Sequence, residues 1–351
     1  MVLIKKIYAL ILSVVIGVTV YEIVFKTPGS LDLKFKADEY SLLNLLSFGI
    51  FEKTSTADNR PLYILIMSSN PRSGSTMFSE IISTRNNSVL FFEPLWDQMK
   101  KPCFQNGNCT STFLHDVFNC SYDQDFEDWF RAKRLFIHYY HPNVHHCGNS
   151  QCLRDLDIRG LCQNTTTRIM KVIRSRLSWL KPLLSDLKLN LKVLYLTRDP
   201  RGSITSIKSF RWDASPKLRC GNMLDDMQEY EKLKTTYPGK IMSVSLEILS
   251  LDTINTMKQI HSFLYDNSTL PWATLEYIKT HFNATENSRG TMDTKKNSEI
   301  EYQAWRLKIS STLLRTIEDE PACVSVIGKM GHVLFRSFTN VRNYTISLWK
   351  T

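Results

Sequence analysis

Beyond residue 60 the chain alternates short apolar runs, rich in β-branched and aromatic residues, with stretches of helical periodicity. The runs are LYILIMS (Leu62–Ser68), SVLFFEP (Ser88–Pro94), RIMKVIR (Arg168–Arg174), KVLYLTR (Lys192–Arg198) and KIMSVSL (Lys240–Leu246). Their length and composition predict strands, and apolar residues at helical spacing predict helices over Thr76–Ser83, Leu177–Leu189, Gly202–Phe210 and Met223–Leu233. Strands that alternate with helices build a mostly parallel sheet covered on both faces. The expected architecture is therefore α/β, a three-layer sandwich whose ligands bind beyond the carboxyl ends of the strands. With 351 residues and 43% hydrophobic content, the chain is long enough for one large domain of this kind.

The first run leads into SSNPRSGSTMF (Ser68–Phe78), a strand, a tight loop and then a helix. Ser73, Gly74, Ser75 and Thr76 offer backbone amides at a helix N-terminus, where the helix dipole adds to the donors. Gly74 lets the backbone approach an anion closely. Arg72 brings a full charge and a forked donor to a loop that lacks the lysine of a nucleoside triphosphatase, and Ser75 and Thr76 add hydroxyls. An ordinary turn with an N-capping serine accounts for the same residues. The fourth run repeats the arrangement, with Arg198 at the strand end and Ser206 on the following helix. Two strand-end anion sites in one sheet imply a ligand with two separated phosphate-type groups.

Lys5 and Lys6 precede an apolar stretch, Ile7–Phe25, interrupted only by Glu22. At ~1.5 Å per residue the stretch spans most of a ~30 Å hydrocarbon layer. No small-x-small cleavage site closes it, so it is expected to be a signal-anchor with residues 1–6 cytosolic and the rest lumenal. Residues 26–60 then form a stem, and 61–351 the globular domain. Seven Asn-x-Ser/Thr sequons, at Asn86, Asn108, Asn119, Asn164, Asn267, Asn283 and Asn343, lie beyond the anchor. So do all eight cysteines, six of them between Cys103 and Cys162. This clustering reads as a disulfide-tied insertion at about 103–162, beside the site, in an oxidising compartment. A zinc site in HHCGNSQC (His145–Cys152) fits no common ligand spacing. The formal charge of +10, scattered along the chain, favours anionic partners: nucleic acid, membrane surface, polyanionic glycan or a phosphorylated cofactor.

The pairing of RSGST (Arg72–Thr76) with Arg198 and Ser206, followed in order by FEPLW, KVIR, RDPRG and AWR, resembles the sulfotransferase superfamily. The likeness is greatest to the Golgi-membrane carbohydrate 6-O-sulfotransferases, over roughly residues 61–335. It implies the P-loop-like sulfotransferase fold and 3′-phosphoadenylyl sulfate (PAPS) as donor. Arg72, Ser73, Gly74, Ser75, Thr76 and Met77 look like the 5′-phosphosulfate loop, and Arg198 with Ser206 like the 3′-phosphate site. The implied acceptor is a sugar hydroxyl, the 6-OH of N-acetylglucosamine, galactose or N-acetylgalactosamine, on a glycan or glycosaminoglycan. Nucleic acid drops out as a partner, and a homodimer stays open. One departure from the family is VSLEILSLD, where only Glu247 matches its usual segment. A basic lid between Lys279 and Trp305, with Arg289, Lys295 and Lys296, is a loose match.

Sulfuryl transfer between oxygens needs positioning and charge neutralisation more than covalent help, and no metal is expected. Glu93, at the mouth of the second strand, is the candidate base, and it reads equally as a buried carboxylate capping a turn or pairing with Arg72. Lys171 is a candidate for neutralising the bridging oxygen, and Arg174 for gripping an acidic sugar chain. The competing functions are a non-catalytic lumenal glycan-binding protein on the same scaffold and a lumenal P-loop kinase.

Overall fold

The computed structural model describes residues 60–99, 101, 104–132, 157–282, 294–295 and 297–350. The expected anchor at 7–25, the stem up to 59, His145–Cys152 and most of the expected basic lid lie outside these residues. Among the described residues no helix is long and apolar enough to cross a membrane.

Five strands, β1 (Leu62–Met67), β2 (Ser88–Phe92), β3 (Thr167–Val172), β4 (Asn190–Thr197) and β5 (Ile241–Ser245), pair in the order β2-β3-β1-β4-β5. Every pairing is parallel. Consecutive residues of β1 and β3 are buried on both faces, which is why these strands read as continuous apolar runs rather than alternating ones. From β1 the chain crosses towards β2, and from β4 it crosses the other way, towards β5. The crevice where these directions part lies beyond the carboxyl ends of β1 and β4.

Helix α1 (Ser75–Ile82) follows β1 within a residue of its expected bounds. Helix α2 (Gly107–Phe118) and helix α3 (Gln124–Ala132) belong to the expected cysteine-rich insertion. This region is helical where it is described, and Phe118, Phe126 and Phe130 share one core with the strands. The Cys120–Cys162 disulfide ties the end of α2 to the segment entering β3. Arg168 of β3 donates to the carbonyls of Phe118 and Cys162 at 2.8 and 2.9 Å.

The helix expected over Leu177–Leu189 is instead a 3₁₀ turn, Leu177–Leu180, and a short helix, Lys181–Ser185. Pro182 is tolerated only in a first turn, so the helix restarts there. Asp186 then accepts the Lys188 amide at 2.8 Å and turns the chain into β4. Helix α4 (Pro200–Ser209) carries Ser206, and helix α5 (Pro216–Thr236) outruns its expected length at both ends.

Helix α6 (Ser311–Asp319) and helix α7 (Pro321–Lys329) pack beside α4 and α5, and Cys220–Cys323 joins α5 to α7. At this junction Arg201, the second arginine of RDPRG, is wholly buried. Its guanidinium donates to Asp199 at 2.7 Å and to Glu318 at 2.7 Å, and to the Val333 carbonyl at 2.8 Å. His332 completes the cluster with Nδ1 2.9 Å from Asp199. These charges hold the Asp199 carboxyl far below the usual carboxylate range, although burial alone pushes it up. Removing one partner of such a buried set leaves an uncompensated charge. Arg201→Met should therefore lower unfolding free energy by about 3–5 kcal/mol in a urea titration. Arg201→Lys should recover only part of the loss, because one ammonium cannot serve Asp199, Glu318 and Val333 together.

Candidate active site

The loop between β1 and α1 is held from beneath by its own hydroxyls. Ser73 Oγ donates to Ser68 Oγ at 2.8 Å, and Ser68 Oγ donates to the Asn70 carbonyl at 3.0 Å. Asn70 Nδ2 reaches the Arg219 carbonyl on α5 at 3.1 Å, and the Ser69 and Tyr195 hydroxyls meet at 2.8 Å. No side chain caps α1: its N-cap is Gly74, in the left-handed conformation at φ +84°. The first intrahelical bond starts at the Phe78 amide, 3.1 Å from the Gly74 carbonyl. The amides of Ser75, Thr76 and Met77 are thus the first-turn donors with no partner inside the helix, which is the arrangement an anion takes up. The ordinary capped turn is not what forms.

Two observations favour glycine at position 74, the backbone more strongly than the packing. A Cβ there would stand 2.7 Å from Cδ1 of Leu246, the residue that follows β5. Its φ also lies where an L side chain is strained. The VSLEILSLD segment therefore serves the loop through Leu246, and it serves β4 through Glu247. That carboxylate is fully buried and accepts the Asp199 amide at 2.8 Å and the Ser245 hydroxyl at 2.9 Å.

The two expected anion motifs are joined directly. Arg198 donates to the Arg72 carbonyl at 2.8 Å, and Arg72 Nε donates to Ser206 Oγ at 3.0 Å while its guanidinium lies 4.4 Å over the Phe210 ring. Arg72 thus sits between the loop and α4 rather than over the loop alone. Burial, and then the charge of Arg198, lower its pKa. Arg198 Nε is buried without a protein partner. Gly202 on α4 leaves room beside it: a Cβ there would come 3.1 Å from Arg198 Nε and 2.9 Å from the Trp305 ring. Trp305 Nε1 is a second buried donor without a partner, so this donor set fits an anionic group.

Glu93 adopts φ +52°, and Arg72 φ +63°, so two of the site's charged residues occupy a conformation rare for side-chain-bearing residues. The Glu93 amide donates to the Lys171 carbonyl at 2.8 Å, which fixes the turn at the end of β2. Its side chain does not pair with Arg72. One oxygen accepts from Lys171 Nζ and the other from Arg174. Burial pushes the Glu93 carboxyl up, but the two cations outweigh it and hold it below the usual range. Lys171, almost wholly buried beside the Phe92 ring, is pushed down by burial despite its partner. Sequence reasoning brought these four cations and one carboxylate to the same strand ends. It missed the orphaned Trp305 donor and the hydroxyl chain beneath the loop, because neither carries a spacing signal.

Residues 64–313 match the sulfotransferase domain family, and the chain belongs to it. It is a sulfotransferase enzyme with the central parallel sheet of that fold. Carbohydrate sulfotransferase 3 of Mus musculus is 24% identical over 348 residues, covering 82% of this chain and 71% of that protein. Carbohydrate sulfotransferase 1 of Danio rerio is 25% identical over 192 residues, 48% of this chain and 44% of that protein. Among solved structures, the sulfotransferase domain from the Synechococcus PCC 7002 olefin synthase covers 81% of this chain and 100% of its own, at 16% identity and TM-score 0.45.

The geometry at Gly74 separates two costs. Gly74→Ala should lower stability in thermal unfolding by about 1–2 kcal/mol from backbone conformation alone, with the Leu246 clash added. Adding Leu246→Ala removes the clash and not the backbone strain. The double variant should therefore stay less stable than Leu246→Ala by about that amount.

Proposed function

We propose that this enzyme transfers a sulfuryl group from PAPS to a sugar hydroxyl of a glycan or glycosaminoglycan, at the 6-position of N-acetylglucosamine, galactose or N-acetylgalactosamine. The observation that carries the donor is the pair of anion sites at the ends of β1 and β4, bonded to one another through Arg72, Arg198 and Ser206. The amides of Ser75, Thr76 and Met77 serve the 5′-phosphosulfate, and Arg198 with Ser206 serves the 3′-phosphate. Ser73 supports the loop from within, and Gly74 gives it its shape. Bound PAPS supplies an activated sulfuryl group whose leaving phosphate is a weak base. Arg72 and Lys171 neutralise the charge that gathers on that phosphate, so the chain's own cations do what a metal does in other transfers. Glu93 accepts the proton of the attacking hydroxyl. The carbohydrate names of the relatives support the sugar acceptor, and Arg174, the partly exposed cation on Glu93, is the residue assigned to grip it.

The same reading places the catalytic domain, residues 61–351, in the Golgi lumen, held by a type II signal-anchor at 7–25 and a stem at 26–60. Six of the seven sequon asparagines fall among the described residues, and all six are exposed, as glycosylation requires. The disulfides Cys120–Cys162 and Cys220–Cys323 suit an oxidising compartment.

The roles separate by experiment. Arg198→Ala removes charge-assisted bonds to the 3′-phosphate and should weaken binding of adenosine 3′,5′-bisphosphate about 10–100-fold in calorimetry. Glu93→Gln should keep that binding and lower kcat by about 10²–10⁴-fold. A Glu93→Gln enzyme with normal turnover would remove Glu93 as the base. EDTA should leave turnover of labelled PAPS largely unchanged.

A further inference from the structure

The turn from α4 into α5 displays a tryptophan, Trp212, that the reaction above does not use and that is 46% exposed. A line of ring contacts ties it to the site. Phe210 lies one helical turn beyond Ser206, at the spacing that shares a helix face, and carries the Arg72 guanidinium 4.4 Å over its ring. The Trp212 ring lies 5.2 Å from the Phe210 ring, tilted by 34°. Two contacts thus lead from the cation assigned to the leaving phosphate out to an open indole.

The backbone that carries Trp212 is pinned on both sides. Before it, the Arg211 amide donates to the Lys208 carbonyl at 3.0 Å and the Trp212 amide to the Ile207 carbonyl at 3.4 Å, the paired bonds of a helix end whose turning residue is left-handed. That residue is Arg211, at φ +57°, where glycine would be less strained. After it, the Asp213 carbonyl accepts from Arg219 Nε at 2.8 Å, and the Asp213 carboxylate accepts the Ser215 amide at 3.0 Å. The Arg219 carbonyl also holds Asn70 of the phosphate loop at 3.1 Å. An exposed aromatic on a backbone fixed in this way is preorganised, so little ordering entropy is lost when a ligand covers its face.

We propose that Trp212 is a stacking platform for the sugar next to the one that is sulfated, so that the acceptor is read over at least two pyranoses. The inference rests on the sugar-sulfating reading above and adds a subsite to it. The reacting sugar lies against Arg72 and Glu93, and its neighbour lays the apolar C–H face of its ring on the indole, which removes apolar surface of both from water. Trp212 acts on binding alone, because it reaches neither the sulfuryl group nor the proton acceptor.

The test compares methyl glycosides with tetrasaccharides in two unsulfated series, one alternating galactose with N-acetylglucosamine and the other N-acetylgalactosamine with glucuronate. With saturating PAPS, wild-type KM should be about five- to tenfold lower for the tetrasaccharide than for the methyl glycoside of the residue that is sulfated, one ring-stacking contact's worth. Trp212→Ala should raise the tetrasaccharide KM by about that factor, collapsing the length preference, while kcat moves less than about twofold. Trp212→Phe, a smaller ring on the same backbone, should keep part of the preference. Calorimetry with adenosine 3′,5′-bisphosphate should give the same affinity for both variants as for the wild type, a result that a merely structural role beneath Phe210 and Arg72 would not give. Equal wild-type KM values at both lengths would overturn the inference and leave the sugar acceptor standing. So would a Trp212→Ala enzyme that keeps the length preference, or one that loses nucleotide binding along with it. A wild-type enzyme that binds the nucleotide and sulfates neither series would overturn the acceptor reading itself, and this inference with it.

Discussion

The site depends on a charge that never meets solvent. Arg201 is buried at the start of α4, between Asp199 on one side and Glu318 and the Val333 carbonyl on the other. This cluster closes the turn after β4 against the helices and strap formed by residues 311–350. It fixes the direction of the helix that presents Ser206 and of the residue, Arg198, that precedes the turn. Isolated charges in such a place cost several kcal/mol each, and the cluster persists because every member has a partner. Rigidity behind the site has a functional use. Arg198 and Arg72 are like charges held close together, and a fixed frame keeps them facing each other until an anion arrives.

At the strand ends the balance of charge is deliberately unequal. Lys171 and Arg174 pair with the Glu93 carboxylate, Arg72 and Arg198 stand together beside them, and the first turn of α1 adds its amides. Such a crevice attracts a doubly anionic nucleotide and neutralises charge on a leaving phosphate. It also makes a proton acceptor poor, since each cation that helps the leaving group lowers the basicity of Glu93. Of the two cations on Glu93, Lys171 rises from a buried strand and Arg174 from a partly exposed loop.

Much of this was legible in the sequence for physical reasons. Parallel strands buried on both faces read as unbroken apolar runs, so all five were located to within about two residues, and the tight turn at RSGST announced itself through glycine beside clustered hydroxyls and an arginine. Local reasoning failed where partners are distant in the chain. Nothing near Arg201 in the chain foretells Glu318 or His332, the partners that let the second arginine of RDPRG be wholly buried. The pairing of Glu93 was open for the same reason, and it fell to Lys171 and Arg174 rather than to Arg72. Leu177–Leu189 misled in another way, because apolar periodicity ran through Pro182 while the backbone did not.

One nucleotide in one crevice is the central claim, and a crystal structure of the enzyme with adenosine 3′,5′-bisphosphate tests it most directly. The 5′-phosphate should lie on the amides of Ser75, Thr76 and Met77. The 3′-phosphate should lie between Arg198 and Ser206, with the Arg72–Ser206 bond opened or shared. A nucleotide bound elsewhere, or phosphates in contact with neither the α1 N-terminus nor Arg198, would contradict it.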